Sequence, residues 1–327
     1  MTAVMLRALL FLAAGCAAFA QPADRLVFHG KAGPGAGKRI VLISGDDEYR
    51  SEQALPQLAK ILAERHGFDT TVLFSIDAAS GTILPDKHDN IPGLETLDSA
   101  DLVLMLLRFR DLPDSQMKHI VDYVEAGKPV VALRTSTHAF EIKSSPTYQR
   151  WSYNSKEWDG GFGRQVLGET WINHHGKHKI QSTRAMFVAG QERNPILRGI
   201  ADGEIWVPTD VYTVKLPQAP GIQPLLVGAV LESMEPSSTP VKGPQNEPML
   251  PVAWTKSYKG GRIFTTTMGS AQDLLNEAFR RLVVNACYWG LGLEPPSKAD
   301  VRLVGDYSPL PFGFGGFQKG LKVSDLK

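Results

Sequence analysis

The chain has 327 residues, 43% hydrophobic and 21% charged, an ordinary globular composition with enough apolar material for a large core. Its 35 basic and 34 acidic residues leave a formal net charge of +1. That balance offers no field of one sign to gather nucleic acid or an anionic membrane surface, and no dense Lys/Arg run supplies one locally, so neither is an expected partner.

Residues 1–20 read as a secretory signal: Arg7 is the only charged side chain, residues 8–20 are almost all small or apolar, and Ala18-Phe19-Ala20 gives the small-x-small cleavage pattern. The apolar stretch is short for a bilayer span. The expectation is a periplasmic or secreted protein starting near Gln21, with no membrane span. Lipid anchoring through Cys16 is second choice, because Ala13 stands where a lipobox has Leu or Val. Cleavage would leave Cys287 as the one cysteine, in the apolar helical run 282–289, which predicts a buried structural thiol and no internal disulfide.

Residues 21–37 have no period and read as a leader into a domain at 38–293, with a tail at 294–327. Residues 38–45 form a short apolar run ending in turn residues, as a buried parallel strand does. Residues 51–66 carry Leu55, Leu58, Ile61 and Leu62 at helical spacing, with Gly67 as the C-terminal cap. Strands at 70–74, 101–107 and 129–133 alternate with a helix at 113–127. This alternation predicts an α/β domain whose central sheet is mostly parallel and flanked by helices, with ligands bound beyond the carboxyl ends of the strands. The rule singles out 44–50, 108–111 and 134–140. Residues 144–179 are an insertion rich in Trp, Gly and His; later strands are expected at 185–188, 225–231, 252–254 and 262–266, and a long helix at 273–290. Residues 233–247 are Pro- and Ser-rich and read as a mobile loop, and 307–320 as an extended Gly/Pro/aromatic tail on the surface.

The fourth strand runs into Arg134-Thr135-Ser136-Thr137-His138. In class I glutamine amidotransferases and α/β-hydrolases a turn at this place carries the nucleophile, yet here there is no cysteine and no Gly-x-Ser-x-Gly. Ser136 and His138 are two apart and do not face each other on a regular element, so the hydroxyls are better read as helix caps, with His138 as a site residue and Thr137 as a substrate contact. The densest polar cluster is 168–178, where His174, His175 and His178 place three of the chain's eight histidines within five residues. Imidazole suits both proton transfer near neutral pH and metal binding. The spacing matches no zinc signature, so a divalent metal is an alternative to acid/base work, and a solvated loop is the bland one. Arg108 and Arg134 can clamp carboxylate, phosphate or sugar hydroxyls through their planar forks, or serve as ordinary salt bridges. Asp46 and Glu48 follow the first strand and can hold hydroxyls, act as bases or cap the next helix. Asp210, Tyr212 and Trp171 add a carboxylate and aromatic faces of the kind that stack on pyranose rings, though most tryptophans are simply core.

Taken together, the strand 39–45, the strand-turn 129–140, the segment 168–178, Asn194-Pro195-Ile196-Leu197-Arg198-Gly199-Ile200, Asp210-Val211-Tyr212, Thr265-Thr266-Thr267-Met268-Gly269 and Arg280-Arg281-Leu282 resemble a ThuA-like (trehalose-utilisation) domain over roughly 38–293. The resemblance implies the flavodoxin-like fold of class I glutamine amidotransferases and a link to disaccharide and keto-sugar metabolism. Family members tend to carry a histidine in the turn after the elbow strand, which His138 matches. Many also carry a Gly-His pair after the last core strand, where this chain has Gly269-Ser270. The missing elbow cysteine argues against glutamine hydrolysis.

The functional expectation is an enzyme acting on a small carbohydrate, a keto-sugar or glycoside, by proton transfer. His138 and one of His174, His175 or His178 would be acid and base; Asp46, Glu48 or Asp210 would orient a histidine or hold hydroxyls; Arg108 and Arg134 would stabilise developing negative charge. The alternatives are a non-catalytic sugar-binding protein and a metal-dependent hydrolase. Either is compatible with a homo-oligomer.

Overall fold

In the computed structural model, which describes residues 23–326, strand β2 (Arg39–Gly45) is buried from Ile40 onward and forms the hub of a ten-stranded sheet. The expected signal at 1–20, with Cys16, lies outside the described residues. Around β2 lie β1 (Arg25–Phe28), β3 (Asp69–Phe74), β4 (Leu102–Leu107) and β5 (Val130–Leu133). The second half supplies β6 (Thr183–Phe187), β7 (Trp206–Val207), β8 (Gln223–Val230), β9 (Leu250–Tyr258) and β10 (Gly261–Thr266). Three α-helices accompany them: α1 (Ser51–His66), α2 (Asp114–Glu125) and α3 (Glu277–Gly290).

The sheet order is β1-β3-β2-β4-β5-β10-β9-β8-β6-β7. Strands β3, β2, β4, β5 and β10 pair in parallel, so the expected strand–helix–strand units are present. The remaining pairs, β1 with β3 and the whole run β10-β9-β8-β6-β7, are antiparallel. The sheet is therefore mixed, a correction to the mostly parallel one expected. The local cause at β9–β10 is a two-residue hairpin: Lys259 (φ 48°) and Gly260 (φ 86°) both take positive φ, the geometry of the tight turns that return a chain antiparallel.

Alternation along β2 distributes the core. Ile40 and Leu42 face the cluster that includes α1 and α3, while Val41 and Ile43 face the cluster of α2, Trp151 and Phe162. Cys287 lies in the first cluster at 0% exposure, and burial pushes its thiol up, as fits an inert packing residue. Among the described residues no helix is long and apolar enough to cross a membrane.

Three other expectations shift. The leader, read as having no period, contains a strand: Arg25–Phe28 forms an edge strand on β3. The long terminal helix is two pieces, a 3-10 turn at Gln272–Leu275 and then α3, whose start is set by Asn276 accepting from the Phe279 N–H at 2.8 Å. The Pro/Ser-rich 233–247 loop is tied down, with Ser182 Oγ donating to Ser233 O at 2.6 Å and Asn246 donating to Val230 O at 3.0 Å.

Candidate functional site

The parallel strands run in the order β3-β2-β4-β5-β10, and the direction of winding reverses between β2 and β4. A crevice opens at the carboxyl ends of strands beside such a reversal. The turns after β2, β4 and β5 meet there and bring Glu48, Arg108 and Arg134 together.

The turn after β2 is braced by Asp46. This carboxylate is 0% exposed and accepts from the Glu48 N–H at 2.8 Å, from the Tyr49 N–H, and from Thr135 Oγ1 at 2.6 Å. Asp46 thus organises the turn and joins it to the β5 turn, instead of facing the crevice as a base. Ser51 Oγ accepts from the Asp46 N–H at 2.9 Å and closes the start of α1.

The turn after β5 holds Arg134 in a left-handed conformation (φ 38°), a strained state for a non-glycine residue. Its guanidinium is fully buried. Nη2 donates to Asp210 Oδ1 at 2.9 Å and to Tyr49 Oη at 3.1 Å; Nη1 donates to Asp210 O at 3.1 Å and to Thr267 O at 2.7 Å. The rings of Tyr49 and Tyr212 each lie 4.2 Å from its Cζ, a cation–π arrangement on both. Burial raises both phenols, which stay protonated. Arg134 is therefore an internal counter-ion for Asp210 and not the substrate clamp expected from the sequence.

Asp210 is the centre of the site. Its Oδ2 accepts from His174 Nδ1 at 2.7 Å, and its Oδ1 accepts from His178 Nδ1 at 3.2 Å beside Arg134. Burial pushes the carboxyl up, but the two histidine bonds and the Arg134 charge outweigh it and hold the group well below the usual carboxylate range. The other nitrogen of His178 meets Glu48 Oε1 at 3.1 Å. Two carboxylates offer only lone pairs, so both ring nitrogens carry protons and His178 is an imidazolium. The same bonds raise its pKa to about 9, against the desolvation that opposes them.

His138 takes the opposite state. It is 2% exposed, boxed by the rings of Phe109 (5.0 Å), Trp171 (5.4 Å), Tyr212 (6.2 Å) and Tyr153 (6.4 Å). Burial holds it well below the ordinary histidine value, and the Arg108 and Arg134 charges push the same way, so it is neutral. Its Nδ1 lies 3.2 Å from Thr137 Oγ1. Trp171 and Tyr212 pack on His174 as well as on His138, so the two rings share walls.

Arg108 Nη1 donates to Asp47 Oδ1 at 3.0 Å, and its Nε lies 4.0 Å from Glu48 Oε2. Of the triple-histidine stretch, His175 is diverted: its Nε2 meets Gln245 O at 2.8 Å, which fastens the 233–247 loop. The structure thus gathers Glu48, Arg108, His138, His174, His178, Asp210 and Tyr212 into one region, with Thr137 and Trp171 along its wall. His175 stands aside, and Asp46 and Arg134 support from behind. Sequence reasoning took Asp47 only as one carboxylate of the 46–50 run and gave no role to Tyr49 or the tail residue Phe312, which packs 5.6 Å from His178. Tyr49 and Asp47 sit in the same post-strand run as Glu48, and that position was their signal.

Among the described residues one group can hold a cation: His174, His178 and Asp210 each present a ligand atom, all within 4.8 Å of one another. An ion there would have to displace the His178 proton and share Asp210 with Arg134.

Residues 39–290 match the family described as ThuA, trehalose utilisation. The chain belongs to the ThuA family. The matched span runs from β2 to the end of α3 and includes every histidine of the site. No curated protein matches the chain. Among solved structures, one from Parabacteroides merdae described as ThuA-like is 14% identical, with a TM-score of 0.48, and covers 85% of this chain and 95% of that one. One from Bacteroides uniformis, also described as ThuA-like, is 15% identical, with a TM-score of 0.49, and covers 79% and 92%. A cold-adapted β-galactosidase from Rahnella is 15% identical, with a TM-score of 0.44, over 79% of this chain and 32% of its own. In this ThuA chain the loop holding Gly269-Ser270 is locked by Asp273, which accepts from both backbone N–H groups at 2.7 and 3.0 Å.

Proposed function

We propose that this ThuA-family protein acts on a keto-sugar by proton transfer next to the carbonyl. One observation carries the reading: Asp210 meets Nδ1 of two histidines, and Glu48 takes the second ring nitrogen of His178. The Asp210 bond to His174 Nδ1 selects, for the neutral ring, the tautomer that offers its lone pair at Nε2, on a side chain 34% exposed. His174 is the base. His178, charged and 26% exposed, gives both N–H groups to carboxylates and supplies positive charge beside the base. His174 Nε2 takes the proton from the carbon beside the carbonyl. The C–H electron pair moves into an enediolate, and the oxygen is stabilised by the His178 and Arg108 cations.

This assignment replaces the expected acid–base pair of His138 and one partner by His174 as base, with the His178 charge beside it. His138 is too enclosed to reach a carbon acid, and it serves as a neutral polar wall. Glycosidic cleavage by paired carboxylates is less well supported, because Asp46, Asp47, Glu48 and Asp210 are all engaged by internal partners. Family membership supports the carbohydrate class, and residues 1–20 support export; we propose both.

The test is incubation with trehalose, sucrose and their keto derivatives, read by product NMR, for the wild type, His174→Ala and His138→Ala. His174→Ala should lose turnover while sugar binding survives. Binding without any wild-type turnover would leave a sugar-binding protein instead. The three-ligand group favours one further reading, a metal-dependent hydrolase. Activity lost on chelation and restored by zinc or manganese would establish it in place of the proton-transfer reading.

A further inference from the structure

The chain beyond the family match does not leave the site. Leu310 donates its N–H to Gln53 Oε1 at 2.9 Å, and Phe312 to Gln272 Oε1 at 3.3 Å. Gly313 donates to the backbone oxygen of Glu48 at 2.7 Å. Arg50 donates to Pro311 O at 3.2 Å and also to Gly313 O. The segment is therefore sewn to the turn that presents Glu48. Gly313 and Gly316 permit this approach: a Cβ on Gly313 would collide with Lys179 Nζ, and one on Gly316 with Arg50 Nη2.

This anchored segment points two phenyl groups in different directions. Phe312 is 5% exposed and packs 5.4 Å from Tyr49 and 5.6 Å from His178. Phe314 is 63% exposed, the most exposed of the large apolar side chains among the described residues, although its backbone neighbours are fixed. Its ring lies 4.7 Å from the Arg108 guanidinium, which is also 4.4 Å from Phe109. An open aromatic face beside a cation that lies next to Glu48 suits one ligand chemistry well. A sugar ring has an apolar C–H face to lay on the phenyl group and a rim of hydroxyls for the arginine fork.

We propose that residues 311–316 complete the carbohydrate site, with Phe314 as the platform for the second ring of a disaccharide. The proposal rests on the carbohydrate reading above.

Calorimetric binding of trehalose and of glucose to the full chain tests the platform. The wild type should bind trehalose more tightly than glucose. Phe314→Ala should weaken trehalose about tenfold and leave glucose unchanged, and Phe314→Trp should keep the preference. Equal trehalose affinity in wild type and Phe314→Ala overturns the platform alone. Failure of the wild type to bind trehalose, glucose or their keto derivatives overturns the carbohydrate reading itself.

Discussion

His178 is the residue whose state is most fully dictated by its neighbours. Because Asp210 and Glu48 take one ring nitrogen each, the charged form is favoured up to about pH 9. Its pKa is raised on folding, so the stability it adds is complete below the unfolded histidine value of about 6.5 and fades as pH rises through about 9. Asp210 has the opposite sign: its pKa is depressed, and its contribution is lost as pH falls below the ordinary carboxylate range. Glu48→Gln removes one carboxylate while leaving the backbone bond from Gly313 in place. The His178 midpoint, followed by NMR, should then drop toward 6.5, and the alkaline limit of any activity should drop with it. A midpoint still near 9 would mean that Asp210 alone sets the charge. The candidates from sequence fared unevenly at this scale for a physical reason. A histidine in a loop has the same letter whether it faces a carboxylate, as His174 does, or a backbone oxygen, as His175 does.

Elements were the most legible level. The apolar runs of β2, β4 and β5 and the period of α1 are written in consecutive residues, so their positions could be read directly. The cap of α1 is equally local: Gly67 takes φ 80°, and its N–H bonds Ala63 O at 3.2 Å. What could not be read is that Gly67 also packs face to face with the leader, where an added Cβ would strike Lys31 O and lie 2.8 Å from Gly33 N. Gly67→Ala should therefore cost more than the roughly 1 kcal/mol of a lost C-cap glycine, on the order of 2 kcal/mol, measured as a fall in urea midpoint with unchanged slope. A loss below about 0.5 kcal/mol would show that the leader yields. The two-residue hairpin at Lys259-Gly260 was also available in the sequence, as a short turn between two apolar runs, and it decides that the sheet is mixed.

At the scale of the whole molecule, the Arg134–Asp210 pair links the two halves of the sheet. Arg134 follows β5 and Asp210 follows β7, with β10, β9, β8 and β6 between those strands in the sheet order. The 76 residues separating them in the chain explain why neither could be assigned its partner from sequence. Asp210→Asn leaves the fully buried guanidinium without its counter-charge and should destabilise the protein by about 3–5 kcal/mol in chemical denaturation. The tyrosines stacked on Arg134 cannot replace that charge. A loss under about 1 kcal/mol would mean that the carbonyl oxygens of Asp210 and Thr267 suffice.

The parallel strands, their helices, the family and the loops that carry chemistry are legible in the residues alone, because each is encoded by near neighbours or by an ordered set of short segments. Tertiary structure alone decided which histidine is charged, which is neutral and which is diverted, and it returned the C-terminal tail to the site. Those outcomes depend on burial and on partners tens to hundreds of residues away, and charge state follows surroundings and not residue type.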